Sequence, residues 1–484
     1  MISLKKISAQ VQGEALFDGV SVTIGTGDRV GIVGPNGSGK STLLRIVAGL
    51  LEPDSGTVNV ERERLGYLPQ DVEFAQGETI ESVLAHIPPA MQTKVLKEVG
   101  LQSLDAHAEV LGLSGGQKRR LALAQVLGNS PTFLLLDEPT NHLDQETVEW
   151  LERFVQEFRG GVVVVSHDRS LLDHTVKKIF EIDPRTHALK EYTGNYTMYV
   201  AERAKRDRLQ NEAHDRQQKE KRRLETWLAR KREESRIFAD PRKGKQIRAK
   251  ERYLEREILE KPIAKAGVQK KIRGAALVGE AAGAKLMYRL TGVAKSFEGK
   301  VVLKNISFEA RGSERVLLVG KNGSGKTTIL KLLAGLLVPD SGELKVGESV
   351  SVGYFAQEQE LLDVGKSVLD EFLDTPNLLP GKEPRAVLGA FLFSDHDVFK
   401  KVGSLSLGER VRLVFAKLTN QKNELLVLDE PTNHLDIPSR EVIEQALLAY
   451  EGAIIAVSHD RFFVETVGFD RVLEVSGGVL LEKK

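Results

Sequence analysis

The chain contains no cysteine. Disulfide bridges, cysteine-ligated zinc and iron–sulfur clusters are therefore excluded, and the composition fits a reducing compartment such as the cytoplasm. Long apolar runs are missing too. No stretch reaches the roughly 18 residues that a membrane-spanning helix needs, and the opening MISLKKISAQVQGE lacks the apolar segment of a secretory leader. A soluble protein without membrane insertion is expected. Net charge is nearly absent, at +1 over 484 residues, but that balance hides a segregation. Residues 201–273 hold 25 Lys and Arg against 13 Asp and Glu, which leaves the rest of the chain acidic by 11.

What is present is a long repeat. GPNGSGKST (34–42) returns as GKNGSGKTT (320–328), LLLDEPTNHLD (134–144) as LVLDEPTNHLD (426–436), and VVVVSHDRS (162–170) as IIAVSHDRF (454–462). The offset is 286 at the first block and 292 from Ser114 and Ser406 onward. So long a period means two tandem domains, not a solenoid. In each copy short β-branched runs alternate with helical spacing of Leu and Ile, which indicates an α/β fold with a largely parallel sheet. Residues 1–198 and 281–484 are read as the two copies and 199–280 as a linker.

The linker breaks the rhythm. Residues 201–238 carry no proline or glycine and are rich in Arg, Lys, Glu, Leu and Ala, a composition that favours one long helix. Ala-Asp-Pro-Arg-Lys-Gly-Lys (239–245) supplies turn residues, and 246–260 reads as a second helix ending before Pro262. A helical hairpin with a basic tip is expected, followed by a flexible tether over 264–285.

The recurring blocks carry phosphate chemistry. Gly34, Asn36, Gly37, Gly39, Lys40, Ser41 and Thr42 form one P-loop; Gly320, Asn322, Gly323, Gly325, Lys326, Thr327 and Thr328 form the other. Each follows an apolar strand and opens a helix, so backbone N–H groups and the helix dipole face a phosphate. The lysine reaches the terminal phosphates and the Ser or Thr hydroxyl meets Mg²⁺. Asp137 and Asp429 close apolar strands, where a carboxylate can hold Mg²⁺. Glu138 and Glu430 follow them and suit a base that orients attacking water. His167 and His459 end the next strand within reach of the terminal phosphate, and Gln70 and Gln357 end short strands near the metal. Glycine turns, strand-end punctuation and satisfied histidines are the plain alternatives for each motif alone. Two complete sets in register outweigh them.

This order of motifs, with LSGGQ at 113–117, resembles the ATP-binding cassette (ABC) superfamily. The resemblance implies that ATP is trapped between the P-loop of one cassette and the signature of the other. Here that sandwich is expected to form within one monomeric chain. Ser114, Gly115, Gly116 and Gln117 would face the second P-loop, and Ser406, Gly408 and Glu409 the first. Asp144 and Asp436 match the aspartates that couple the two sites. Two cassettes, DEPTNHLD in both and a charged helical hairpin between them resemble the ABC-F family in particular. That resemblance implies binding in the ribosomal exit site, with the linker against rRNA and peptidyl-site tRNA, in translation or in ribosome protection against antibiotics. The RNA contacts would fall on Arg242, Lys243, Lys245, Arg248 and Lys250. A fused ATPase subunit of a transporter is the alternative.

The two sites are expected to differ. Phe297 precedes the second P-loop where adenine stacks, and the offset places Val11 at the first. The first P-loop also faces the drifted signature, in which Leu407 replaces a glycine and Glu409 a glutamine. Glu409 is expected to bring negative charge toward phosphate.

Overall fold

The computed structural model describes the chain except residues 12, 61, 142, 144, 238–240, 264–284, 322, 349, 357–361, 377–382, 394–395, 434 and 484, and except the side chains of 14, 234–237 and 241–244. Two compact units result: Met1–Tyr196 with Ile272–Lys484, and Thr197–Lys271.

In the first cassette, β1 (Ile2–Val11), β2 (Glu14–Ile24) and β3 (Arg29–Val33) lead into α1 (Lys40–Val47). β4 (Ser55–Val60), β5 (Leu65–Leu68), α2 (Ile80–Leu84), α3 (Pro89–Glu98) and α4 (Gly115–Leu127) follow. Then β6 (Phe133–Asp137), α5 (Gln145–Glu157), β7 (Gly161–Val165), α6 (Arg169–Thr175), β8 (Lys178–Asp183) and β9 (Ala188–Thr193) complete it. The main sheet runs β5-β6-β7-β3-β8-β9, parallel except at β9, and a smaller antiparallel sheet runs β2-β1-β4. Every residue of β6 (FLLLD) and β7 (GVVVV) is buried. A parallel strand covered on both faces selects such unbroken apolar runs.

The linker unit consists of α7 (Tyr196–Ile237) from Thr197 on, α8 (Pro241–Tyr253) and a π-helical turn at Leu254–Leu259. At 1.5 Å per residue, α7 is about 63 Å long over its 42 residues. Leu224, Leu228, Ile247 and Ile258 are buried along the hairpin. Tyr253 donates to Glu220 at 3.1 Å, Arg232 Nε to Glu251 at 3.0 Å, and Gln217 to the Lys261 carbonyl at 2.9 Å. One expectation is corrected here. Residues 241–245, read as a turn, lie inside α8. Proline suits a first helical position because its missing N–H would be unpaired there anyway. The backbones of Arg242 and Lys243 and the whole of Lys245 therefore sit on the first turns of a helix.

The second cassette repeats the plan with β10 (Leu286–Phe297), β11 (Lys300–Arg311), β12 (Arg315–Val319), α9 (Lys326–Leu333), β13 (Ser341–Val346) and β14 (Val352–Phe355). α10 (Val368–Leu373), α11 (Pro384–Ala390), α12 (Leu407–Thr419), β15 (Leu425–Asp429) and α13 (Ile437–Leu448) come next. β16 (Ala453–Val457), α14 (Arg461–Val467), β17 (Arg471–Ser476) and β18 (Val479–Lys483) finish the chain. Its sheets run β14-β15-β16-β12-β17-β18 and β11-β10-β13. Phe17 in one cassette and Leu303 in the other are buried in equivalent cores. Each presses on the last P-loop glycine: a Cβ on Gly39 would meet Phe17 at 2.7 Å, and one on Gly325 would meet Leu303 at 2.8 Å. Both glycines also adopt positive φ, at 92° and 105°, so a side chain is excluded twice over.

Candidate active sites

Each P-loop joins a central strand to a helix. Lys40 Nζ donates to the carbonyls of Gly34 and Pro35, both at 2.9 Å, and Lys326 Nζ to those of Gly320 (2.6 Å) and Lys321 (3.0 Å). Burial pushes the Lys40 ammonium below its usual range, against the pull of Glu138, Asp436 and Asp137. Each lysine is thus a buried cation held by carbonyls of its own P-loop, poised for an anion.

Asp137 accepts from Ser41 Oγ at 3.1 Å and from Tyr67 OH at 3.4 Å. In the second site both oxygens of Asp429 are buried without a hydrogen bond; Thr327 stands near but outside hydrogen-bond geometry. Burial raises the pKa of both aspartates. A buried carboxylate beside a hydroxyl suits a divalent cation. Among the described residues no three His, Cys, Asp or Glu gather around such an ion. Mg²⁺ there would rely on one carboxylate, one hydroxyl and the phosphates of its nucleotide, the usual preference of that ion. Gln70 borders the first site; Gln357 lies outside the described residues, as do Asn322 and Asp144.

Glu138 and Glu430 share an unusual backbone, with φ of 43° and 47°. Their N–H groups donate to Val165 (2.9 Å) and Val457 (3.0 Å), which turns the chain sharply off the strand end. Strained non-glycine residues of this kind concentrate at functional sites. The N–H of His167 donates to Glu138 Oε2 at 3.1 Å, and that of His459 to Glu430 Oε2 at 3.3 Å. In each pair the histidine Nε2 lies 3.3 Å from the other carboxylate oxygen. Burial pushes both glutamates up to about 7, the range that suits a proton acceptor near neutral pH. Burial, with Lys40 and Arg440 adding to it, drives the His167 pKa well down. The ring is therefore neutral, with Nε2 3.1 Å from Asn36 Oδ1.

A cavity of about 510 Å³ is lined by Asn36, Gly37, Gly39, Lys40, Ser41, Thr42, Gln70, Glu138 and His167. Val11 borders it on one side, and Ser406, Leu407 and Gly408 of the other cassette on the opposite side. The first P-loop and the second signature therefore share one cavity. The second cavity, about 480 Å³, gathers Gly323, Gly325, Lys326, Thr327, Thr328, Asp429, Glu430 and His459 with Thr140, Asn141 and Leu143 of the first cassette. Among the described residues, Ser114, Gly115, Gly116 and Gln117 do not line it, and neither does Phe297. Phe297 is 42% exposed, with Lys295 Nζ 5.7 Å from its ring centre.

Both signatures form capping boxes. Ser114 accepts from the Gln117 N–H (3.3 Å) while the Gln117 side chain accepts from the Ser114 N–H (2.9 Å). Glu409 instead accepts from both the N–H and the hydroxyl of Ser406, each at 2.8 Å. Its charge is spent on its own helix cap and does not line the cavity. That differs from the expected approach to phosphate.

Sequence reasoning missed several partners. Arg119 donates to the carbonyls of Gln70 (2.6 Å), Asp137 (3.0 Å) and Glu138 (2.9 Å), tying three motif segments together. The 292 offset puts the buried Val411 in its place. Asp436 Oδ2 accepts from the Asn36 N–H at 3.2 Å, across the cassettes. Arg169 forms a two-pronged buried pair with Glu444, one prong at 3.1 Å, while Arg461, its equivalent, reaches Glu149 at 2.6 Å and lies 3.9 Å from Glu152, the counterpart of Glu444. Burial works against the Arg169 charge, but Glu444 and Asp460 outweigh it and raise its pKa.

Two stacked α/β units, each with a P-loop, a strand-end Asp-Glu and a histidine aimed at the glutamate, define a tandem P-loop ATPase. A family profile described as ABC transporter matches residues 17–141 and 303–433, and a second with the same description matches 182–273. The chain is 36% identical to the putative ATP-binding protein YdiF of Bacillus subtilis (strain 168), over all of this chain and 81% of that one. It is 33% identical to ABC transporter F family member 5 of Arabidopsis thaliana, over 99% of this chain and 75% of the relative. It belongs to the ABC family, in its F subfamily, and is an ATPase. Among solved structures, an archaeal ribosome recycling factor, aABCE1, crystallised with the ribosomal stalk protein aP1, shares the fold at TM-score 0.65 and 21% identity, over 98% of this chain and 89% of its own. The RNase-L inhibitor does so at 0.61 and 20%, over 99% and 89%. Among the described residues no helix is long and apolar enough to cross a membrane.

Proposed function

We propose that this ATPase acts on the ribosome from the cytoplasm, with cassettes 1–198 and 281–484 closing on ATP within one monomeric chain. The basic hairpin of 199–280 then contacts rRNA and peptidyl-site tRNA in the exit site, as part of translation. The observation that carries this reading is the start of α8. Lys245, Arg248 and Lys250 are exposed there, and no acidic residue occurs from 241 to 250. A rigid helical rod of that charge neutralises RNA phosphates. The F-subfamily relatives and the ribosomal context printed for aABCE1 support the same direction.

In the catalytic half of the proposal, Lys40 and Lys326 hold the terminal phosphates, and Glu138 and Glu430 orient water and accept its proton. His167 and His459 fix the carboxylates from behind, and Asp436 transmits the state of one cassette to the P-loop of the other. Ser41 with Asp137, and Thr327 with Asp429, would hold Mg²⁺, which supplies charge neutralisation at the phosphates.

The test is co-sedimentation of the Glu138→Gln/Glu430→Gln double variant with ribosomes under ATP. ATP-dependent binding is expected, weakened at least about tenfold and made less salt-sensitive by adding Lys245→Glu, Arg248→Glu and Lys250→Glu. No ribosome binding under ATP would overturn the proposal.

A further inference from the structure

Arg440 sits on the first turn of α13 and lines both cavities. It is buried. Its Nε donates to the Leu435 carbonyl at 3.1 Å and its Nη1 to Asp460 Oδ2 at 2.9 Å. Leu435 borders the first cavity; Asp460 borders the second and directly follows His459. The same Asp460 oxygen lies 3.8 Å from Arg169 of the first cassette. At the equivalent place in α5 the first cassette carries Val148, which borders the second cavity. One cassette therefore sends a cation toward its partner's site and the other sends an isopropyl group.

Arg440 shares the wall of the first cavity with Glu138 and His167 of the other cassette. In the second cavity its Nη1 is taken up by Asp460. We infer that Arg440 is a trans-acting positioning residue for ATP hydrolysis at the first site, anchored by Asp460 from the wall of the second, with no counterpart in the reverse direction. A guanidinium fixed by Leu435 and Asp460 on the wall that carries Glu138 and His167 orients that carboxylate, and preorganised charge at such a site has a large effect on rate. Because its anchor follows His459, a shift of that histidine with the second site's nucleotide is passed to the first.

This inference rests on Glu138 and Glu430 serving one site each. Single-turnover phosphate release isolates them: Glu430→Gln leaves hydrolysis at the first site, and Glu138→Gln at the second. Adding Arg440→Val to the former is expected to slow the first-site step at least about tenfold. Adding it to the latter is expected to change the second-site step less than about twofold. Arg440→Lys, which keeps the charge, should recover at least part of the first-site rate. Arg440→Gln gives the same comparison should the valine variant lose the fold. Equal slowing in both backgrounds marks a structural role and overturns the inference, as does no slowing in either. If neither glutamine variant alone halves the phosphate released per chain, the assignment of the two carboxylates fails instead, whatever Arg440 does.

Discussion

The two nucleotide sites begin from almost identical sequence and end with different neighbours. The first has Val11 at its mouth and Ser406, Leu407 and Gly408 across from it. The second has Thr140, Asn141 and Leu143 across from it, and among the described residues neither the GGQ signature nor Phe297 lines it. The drifted signature is thus the one that is in place. Closing a site and equipping it to turn over are separable properties. Glu409 shows how: its carboxylate takes up the Ser406 hydroxyl, so the helix is well capped while a donor that could face phosphate is occupied. We predict that the first site holds its nucleotide longer and the second cycles faster.

The sharpest way to break this contrast is the pair Glu430→Gln and Glu138→Gln. Loss of the second carboxylate should lower steady-state ATPase by about a hundredfold or more, and loss of the first by much less. Equal losses, measured by phosphate release, would end the division of roles. The ion pairs across the cassettes give a second comparison. Arg169→Met strands Glu444 in a buried setting and should cost about 3–5 kcal/mol in urea unfolding. Arg461→Met removes a partly exposed pair and should cost about 0.2–1 kcal/mol. Comparable costs would show that the two equivalent arginines contribute alike after all.

Acid provides the smallest and most selective probe. Burial raises the Asp183 pKa, but hydrogen bonds from Arg185 and Lys190 overcome it and hold the carboxyl well below its ordinary value. By strand register the second cassette has Ser476 there. A depressed folded pKa gives stability that is complete above the unfolded value of about 3.9 and is lost as pH falls below it. Asp183→Asn should therefore destabilise the chain at pH 7 and flatten its loss of melting temperature between about pH 4 and 2. An unchanged acid profile would remove Asp183 from the account.

Much of this was legible in the residues. Unbroken runs such as FLLLD and GVVVV mark covered parallel strands, and glycine spacing places both P-loops. The hairpin was legible as a pattern but not at its bend, because proline and glycine read as a turn also fit the start of α8. The capping role of Glu409 was available in the spacing Ser-x-x-Glu, though its alignment with glutamine drew attention to phosphate. Arg119 and Arg440 were hidden for a different reason. A lone arginine on a helix reads as a solvated surface charge, and only the folded chain brings its fork onto acceptors of separate segments. Setting each beside its repeat, Val411 and Val148, supplies the missing signal.

The pairing of Arg440 with Val148 has an evolutionary consequence. In a dimer of identical subunits every substitution is made twice, so a cation beside one site is a cation beside both. Joining the copies in a single gene removes that constraint and lets one position be edited alone. The linker that joins them therefore does more than carry charge: it makes symmetry optional, and asymmetry heritable.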